Sequence, residues 1–90
     1  IPNDSITIYS IFPNPFNSEV NIQYFLPSHS FLTINIYNLI GQRIETYYEG
    51  SKPSGTNMFK WKNNYHPSGI YFINLFTDEF SISGKLIYIK

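Results

Sequence analysis

The segment Glu19–Leu26, with the sequence EVNIQYFL, carries an apolar side chain at every second position and one further apolar residue, Phe25, between them. A period of two is typical of a β-strand that buries one face. The segment Phe31–Tyr37, FLTINIY, has the same period. Both segments therefore predict strands that turn one side towards a hydrophobic core.

Turn-forming residues divide the rest of the chain at short and fairly even intervals, which is typical of a sandwich or barrel of short strands. Further strands are predicted at Ser5–Ile11, Gln42–Tyr48, Thr56–Lys62, Ile70–Phe76 and Phe80–Ile89. Between the fourth and fifth strands the sequence predicts a long polar loop over residues 49–55. Gly84 interrupts the last strand, where it predicts a bulge or a bend.

A single flat sheet of so many antiparallel strands would leave its apolar face in water, so the strands must form two packed sheets or a closed barrel. Aligned packing of two sheets is the commoner arrangement. The expected fold class is all-β, an immunoglobulin-like antiparallel β-sandwich of about seven strands whose order the sequence does not reveal. Alternation assigns six later side chains to the core, namely Ile44, Phe59, Trp61, Tyr71, Ile73 and Leu75.

The composition favours strands and excludes several kinds of partner. Phe, Trp and Tyr make up 19% of the residues, and alanine, the best helix former, is absent. The formal net charge is zero, so there is no electrostatic footprint for nucleic acid. No apolar run approaches the roughly 20 residues that span a bilayer, so we expect no membrane insertion. The chain has no cysteine, which excludes disulfides and thiolate metal sites.

The length of 90 residues fits one domain over residues 1–90, with residues 1–10 as a linker plus the first strand. We expect no catalytic, cofactor or metal site. His29 and His66 both lie in predicted loops without a ligand spacing, so we expect them to be solvated loop histidines. The adjacent carboxylates Asp78 and Glu79 fall in a predicted turn, where Asp is favoured for its bonds to the local backbone. The pair Phe59 and Trp61 resembles a sugar-stacking platform, but alternation with lysines favours the core.

Five blocks of the sequence, which follow one another from Ile11 to Lys90, resemble successive blocks of one known family. They are Phe12–Pro27, Ile34–Ile44, Gly55–Trp61, Ser68–Tyr71 and Gly84–Lys90. The family is that of the type A C-terminal sorting domains of the type IX secretion system, also called the Por system. Two small departures occur in predicted turns or edges: Asn38 stands where the family often has Asp, and Asn57 where it often has His.

The resemblance implies a non-catalytic domain that directs an exported cargo protein across the bacterial outer membrane. The implied partners are the outer-membrane translocation machinery, a sortase-like peptidase that cuts before the domain, and a covalently preceding cargo domain. The implied location of the protein is outside the cell or on the cell surface. The alternative is an accessory immunoglobulin-like or fibronectin-like module, a spacer or carbohydrate-binding unit of a larger secreted enzyme.

The family-motif residues are expected to be mainly structural: Pro13, Asn14, Pro15, Phe16, Gly41, Trp61, Gly69 and Tyr71. The last strand differs, because packing does not readily explain charges at both ends of an apolar segment. We therefore hypothesise that the machinery reads this strand, by edge pairing or otherwise, through Lys85, Leu86, Ile87, Tyr88, Ile89 and Lys90.

Overall fold

A computed structural model describes residues 5–63 and 65–90, and seven strands occur among them. Their bounds are β1 (Thr7–Phe12), β2 (Glu19–Leu26), β3 (Ser30–Asn38), β4 (Arg43–Lys52), β5 (Gly55–Lys62), β6 (Gly69–Phe76) and β7 (Ser81–Tyr88). All pairings between neighbouring strands are antiparallel. The all-β prediction is confirmed, although part of the expected linker, residues 1–4, lies outside the described residues.

The strands form two sheets. The small sheet has the order β1-β2-β5, and the large sheet has the order β4-β3-β6-β7. The two sheets pack face to face, with β1 lying beside β7 and with the rings of Tyr47 on β4 and Phe59 on β5 only 5.1 Å apart. This is the expected β-sandwich, and it leaves β7 at one edge of the large sheet.

The core lies between the inner faces of the two sheets, as alternation predicts. The inward side chains of β2 are all fully buried, from Val20 to Leu26 at every second position. Those of β3 and β6 oppose them, and Trp61 on β5 is only 1% exposed. The core assignments of Phe59, Trp61, Tyr71, Ile73 and Leu75 are confirmed, and Ile44 packs against the core from its rim.

The predicted polar loop over residues 49–55 is wrong, because β4 continues to Lys52 and β5 already begins at Gly55. A shift of register between Leu32 and Thr33 lets β4 stay paired with β3 in this stretch. As an edge strand, β4 can carry polar side chains without burying them. The short turn that remains is braced by Asn57, whose Nδ2 donates to the carbonyl oxygen of Pro53 at 3.0 Å.

The predicted bulge at Gly84 is also wrong, since β6 and β7 pair in unbroken register through this residue. The reason for glycine lies across the sandwich. A Cβ atom at this position would stand 2.8 Å from Cδ1 of Ile11 and 3.3 Å from Cδ1 of Ile8. Gly84 therefore allows β1 to approach β7 closely. Besides bulges and bends, such close approach of another segment is a common reason for a glycine within a strand.

The turn between β3 and β4 is organised by Asn38, whose Oδ1 accepts the N–H of Gln42 at 2.9 Å and that of Ile40 at 3.2 Å. Gly41 follows with a φ of 89°, a left-handed conformation that glycine adopts without strain.

In the described part of the chain, no helix is long and apolar enough to cross a membrane.

Candidate functional site

The terminal strand β7 divides the six hypothesised recognition residues into two groups. Leu86 and Tyr88 point into the core and are buried. Lys85 and Ile87 point outward on the large sheet, while Ile89 and Lys90 follow the strand and are exposed. Only this second group can contact a partner while the domain stays folded. We therefore limit the hypothesis of side-chain recognition to Lys85, Ile87, Ile89 and Lys90.

The segment Pro13–Phe16, here called the hook, runs along the outer edge of β7. The peptide bonds before Pro13 and Pro15 are both cis. Asn14 extends its side-chain amide over the edge: its Nδ2 donates to the carbonyl oxygen of Lys85 at 3.0 Å, and its Oδ1 accepts the N–H of Ile87 at 2.9 Å. One amide thus imitates the donor and acceptor of a neighbouring strand.

Phe16 continues the same imitation with its backbone. Its N–H donates to the carbonyl oxygen of Ile87 at 2.9 Å, and its carbonyl oxygen accepts the N–H of Ile89 at 2.8 Å. An edge strand normally presents such groups to solvent or to another chain. Here the hook occupies them from Lys85 to Ile89, so edge pairing by a partner along this stretch would first have to displace the hook.

The aromatic ring of Phe16 joins a group of four buried rings, here called the aromatic cluster: Phe16, Trp61, Tyr71 and Tyr88. The centroid of Phe16 lies 5.1 Å from that of Tyr88 and 5.8 Å from that of Trp61. Trp61 in turn lies 5.7 Å from Tyr71 in an edge-on arrangement. Four blocks that are far apart in the sequence therefore meet at the terminal strand.

Glu45 anchors the aromatic cluster from β4. Its Oε1 accepts the indole N–H of Trp61 at 2.9 Å and the hydroxyl of Tyr47, and its Oε2 lies 2.7 Å from Nε2 of His66. The His66 ring is stacked on Trp61, with 6.4 Å between centroids, and its side chain is only 24% exposed. The prediction of a solvated loop histidine is therefore wrong for His66, although His29 does lie exposed in its loop.

The electrostatics of Glu45 follow from these contacts. Burial favours its neutral form and is the largest single effect, but hydrogen bonds from Tyr47, Trp61 and His66 together outweigh it and lower the pKa of the carboxyl. Burial and the neighbouring Glu45 raise the pKa of Tyr47 to about 12. Burial also raises the pKa of Tyr71, whose hydroxyl donates to the carbonyl oxygen of Pro67. The ionised carboxylate of Glu45 thus accepts hydrogen bonds from the Tyr47 hydroxyl and the Trp61 indole, which ties β4 to the aromatic cluster.

Sequence reasoning missed Glu45, because alternation from the inward Ile44 places it in solvent. The register shifts between Ile36 and Tyr37, so β4 carries an extra residue opposite β3. A bulge of this kind lets two consecutive side chains approach the same interior. Nothing in the sequence around Glu45 indicates this bulge, so its carboxylate could not be assigned to the interior from the sequence.

Among the described residues, no group of three or more His, Asp or Glu could hold a metal ion. Asp78 and Glu79 lie beside His29 and Phe31 around a polar hollow of about 340 Å³. The suggested sugar platform does not exist, since Phe59 and Trp61 are both buried, as alternation predicts.

Comparison with protein-family models gives a match. The family model described as "Secretion system C-terminal sorting domain" covers residues 10–90. No curated protein matches the chain. The matched region contains the hook, the aromatic cluster and the whole of β7, and it covers nearly all of the chain. The chain therefore belongs to the family of type IX secretion system C-terminal sorting domains.

Proposed function

We propose that the translocation machinery of the outer membrane recognises this domain at its terminal strand, through the segment Lys85–Lys90 as the hook presents it. Family membership implies export across the outer membrane, to the cell surface or the medium, and domains of this family are generally non-catalytic.

One observation carries this proposal: the family blocks converge on the terminal strand. The hook bonds to the backbone from Lys85 to Ile89, and the Phe16 ring packs against the Tyr88 ring. Lys90 is fixed too, since its N–H donates to Oγ of Ser68 at 3.0 Å. The segment Lys85–Lys90 is thus held in one conformation by bonds from other parts of the chain. Holding it in one conformation suits a segment that another protein must recognise, because a preorganised ligand loses less entropy on binding.

We further propose that a cargo domain precedes this domain and that a sortase-like peptidase cuts between them. Ile6 is the first described residue that is buried in the core. A cut before Ile6 would leave all seven strands and the hook intact, so the domain could be removed as one folded unit.

The test is a periplasmic reporter fused to this domain in a bacterium that has a type IX system. We expect the fusion outside the cell and the reporter alone in the periplasm. Removal of Leu86–Lys90 also deletes core residues, so it does not separate recognition from folding. The sharper variant removes only Ile89 and Lys90, which retains Leu86 and Tyr88 in the core.

We expect the shorter deletion to reduce export while the purified domain still unfolds cooperatively. A matched control replaces Lys62, an exposed lysine on the small sheet, with Ser. Normal export of the variant without Ile89 and Lys90 would sink the idea that the machinery reads this end of the fold.

A further inference from the structure

The outward face of the large sheet carries an ordered row of side chains across all four strands. Strand register places Arg43 opposite Tyr37, Tyr37 opposite Phe72, and Phe72 opposite Lys85. Directly opposed residues of neighbouring strands project on the same face. With strands about 4.8 Å apart, the two cations stand roughly 14 Å apart with two aromatic rings between them.

Beside this row, towards the end of β7, the face is apolar. Ile70 and Ile87 pair across β6 and β7. Ile70 also lines a cleft of about 280 Å³ together with Leu39, Ile40 and Pro67. Leu39 is 64% exposed and Ile40 is 79% exposed. Such side chains in one place, rather than scattered singly, are typical of an interaction site.

On the other side of the row the face becomes polar, which bounds the apolar area. The next positions across the sheet are Thr46, Asn35, Asn74 and Ser83. Thr46 Oγ1 donates to Oδ1 of Asn35 at 2.9 Å, and Asn74 Nδ2 donates to Oγ of Ser83 at 3.3 Å. These side chains already hydrogen-bond to one another, so fewer of their donors and acceptors are available to a partner protein.

Neither cation of the row has an ion-pair partner among the described residues. Within residues 5–63 and 65–90, the ion pairs between lysine and glutamate are Lys52–Glu49 and Lys60–Glu19, the carboxylate of Glu45 lies against His66, and none of these contacts involves Arg43 or Lys85. In the register, no described residue that is opposed to the row or to the pair Ile70 and Ile87 is a carboxylate. The face thus combines an apolar cleft with two positive charges that have no ion-pair partner among the described residues. It includes the outward side chains of β7, the strand whose backbone edge the hook already occupies.

We propose that this surface, here called the basic aromatic face (Leu39, Ile40, Arg43 and Lys85 with the rings of Tyr37 and Phe72 and the side chains of Ile70 and Ile87), docks a protein of the export machinery. The proposal rests on the proposed function and names the contact it would use. The docking segment inserts an apolar side chain beside Leu39 and sets carboxylates against Arg43 and Lys85. Charge complementarity selects this occupant, since the face supplies positive charge at both ends of an apolar strip.

Two other occupants fit the face less well. In a symmetric pair of copies the same patch meets itself, so Arg43 and Lys85 would face like charges without a carboxylate between them. An anionic lipid or glycan surface is bound by clusters of four or more basic residues, whereas this chain is neutral overall and its two cations are separated.

The experiment compares two double variants of the domain in the reporter fusion. The first, Leu39→Ser with Lys85→Glu, changes the basic aromatic face. The second, Met58→Ser with Lys62→Glu, makes the same two changes at exposed positions of the small sheet. All four side chains are exposed, so both purified domains should stay folded; the second should lose a little thermal stability, because Lys62→Glu sets a carboxylate opposite Glu19.

We expect the first variant to lose export about tenfold, the effect of weakening binding by one decade, and the second to export like the parent. Lys85→Arg should restore export when paired with native Leu39. Full export of the first variant, or an equal loss in both, overturns the proposal. If the parent fusion itself is not exported, the proposed function fails instead.

Two measurements on the purified domain decide between occupants. Sedimentation should show a monomer, and vesicles containing lipopolysaccharide should not bind it. A dimer that the first variant dissociates would make a second copy the occupant and overturn the proposal. Vesicle binding that depends on Lys85 would do the same in favour of an anionic surface.

Discussion

Replacement of Asn14 by Ala should unlock the hook while leaving the core in place. Asn14 is exposed, and its amide makes two hydrogen bonds to the backbone of β7, one to Lys85 and one from Ile87. The Phe16 backbone bonds and the buried Phe16 ring do not depend on this amide. The perturbation therefore isolates the part of the hook that imitates a strand.

The magnitude follows from these two bonds. Each hydrogen bond contributes about 0.5–1.5 kcal/mol net, so their loss would cost about 1–3 kcal/mol. Water can reach the freed edge groups, which places the cost in the lower half of this range, at about 1–2 kcal/mol. For a domain of this size, that lowers the melting temperature by roughly 4–16 °C.

Urea unfolding measures the free energy, and amide hydrogen exchange locates the effect. The Ile87 N–H should lose protection in the Asn14→Ala domain, because its acceptor is removed. The control is Asn17→Ala, an exposed neighbour for which the structure shows no side-chain hydrogen bond. Equal stability of the two variants, with Ile87 still protected, would refute the role given to the hook.

Three further predictions concern the interior. Glu45→Gln should flatten the loss of stability in acid. Because the pKa of Glu45 is lowered from 4.5 in the folded state, its ionised carboxylate stabilises the fold fully above pH 4.5, and this stabilisation is lost as the pH falls below that value. Urea unfolding at pH 7 and pH 3 measures the free energy of unfolding of both proteins. An equal loss of that free energy between the two pH values in both proteins would contradict the prediction. Tyr24→Phe should be neutral or stabilising by about 1 kcal/mol, since the Tyr24 hydroxyl is buried without a hydrogen-bond partner among the described residues; a clear destabilisation would show a bond that this geometry lacks. Gly84→Val should cost about 1–3 kcal/mol by overpacking against Ile11, whereas Ser83→Val on the outward face of the same strand should cost little, and equal thermal stability of the two would argue against the close approach of β1 and β7.

The period of two predicted the strands and most of the core, because burial of one face imposes that pattern directly on the sequence. Two of the predictions that were wrong, the polar loop after residue 48 and the bulge at Gly84, share a different cause. The extension of β4 depends on a register shift, and the glycine at position 84 depends on the approach of β1, which is remote in the sequence. Both are properties of strand neighbours, and strand order was not readable from the chain.

The candidate site was predictable as a set of residues but not as an arrangement. The resemblance singled out Asn14, Phe16, Trp61 and Tyr71 one by one, without showing that they meet at β7. The contribution of Glu45 gave no signal, because a bulge placed it inward against the expected alternation. Contacts of this kind become visible only when the sheets are assembled.

The hook also has a consequence for the order in which the domain folds. Its two side-chain bonds join residues 71 and 73 positions apart. Contacts of such separation form slowly, because the long intervening loop must be ordered first. The sandwich is therefore completed by β7: a chain that stops before β7 has no partner for the hook, leaves the Phe16 ring without the Tyr88 ring, and exposes the edge of β6. The bonded hook and the packed Phe16 ring therefore exist only in a domain that includes β7.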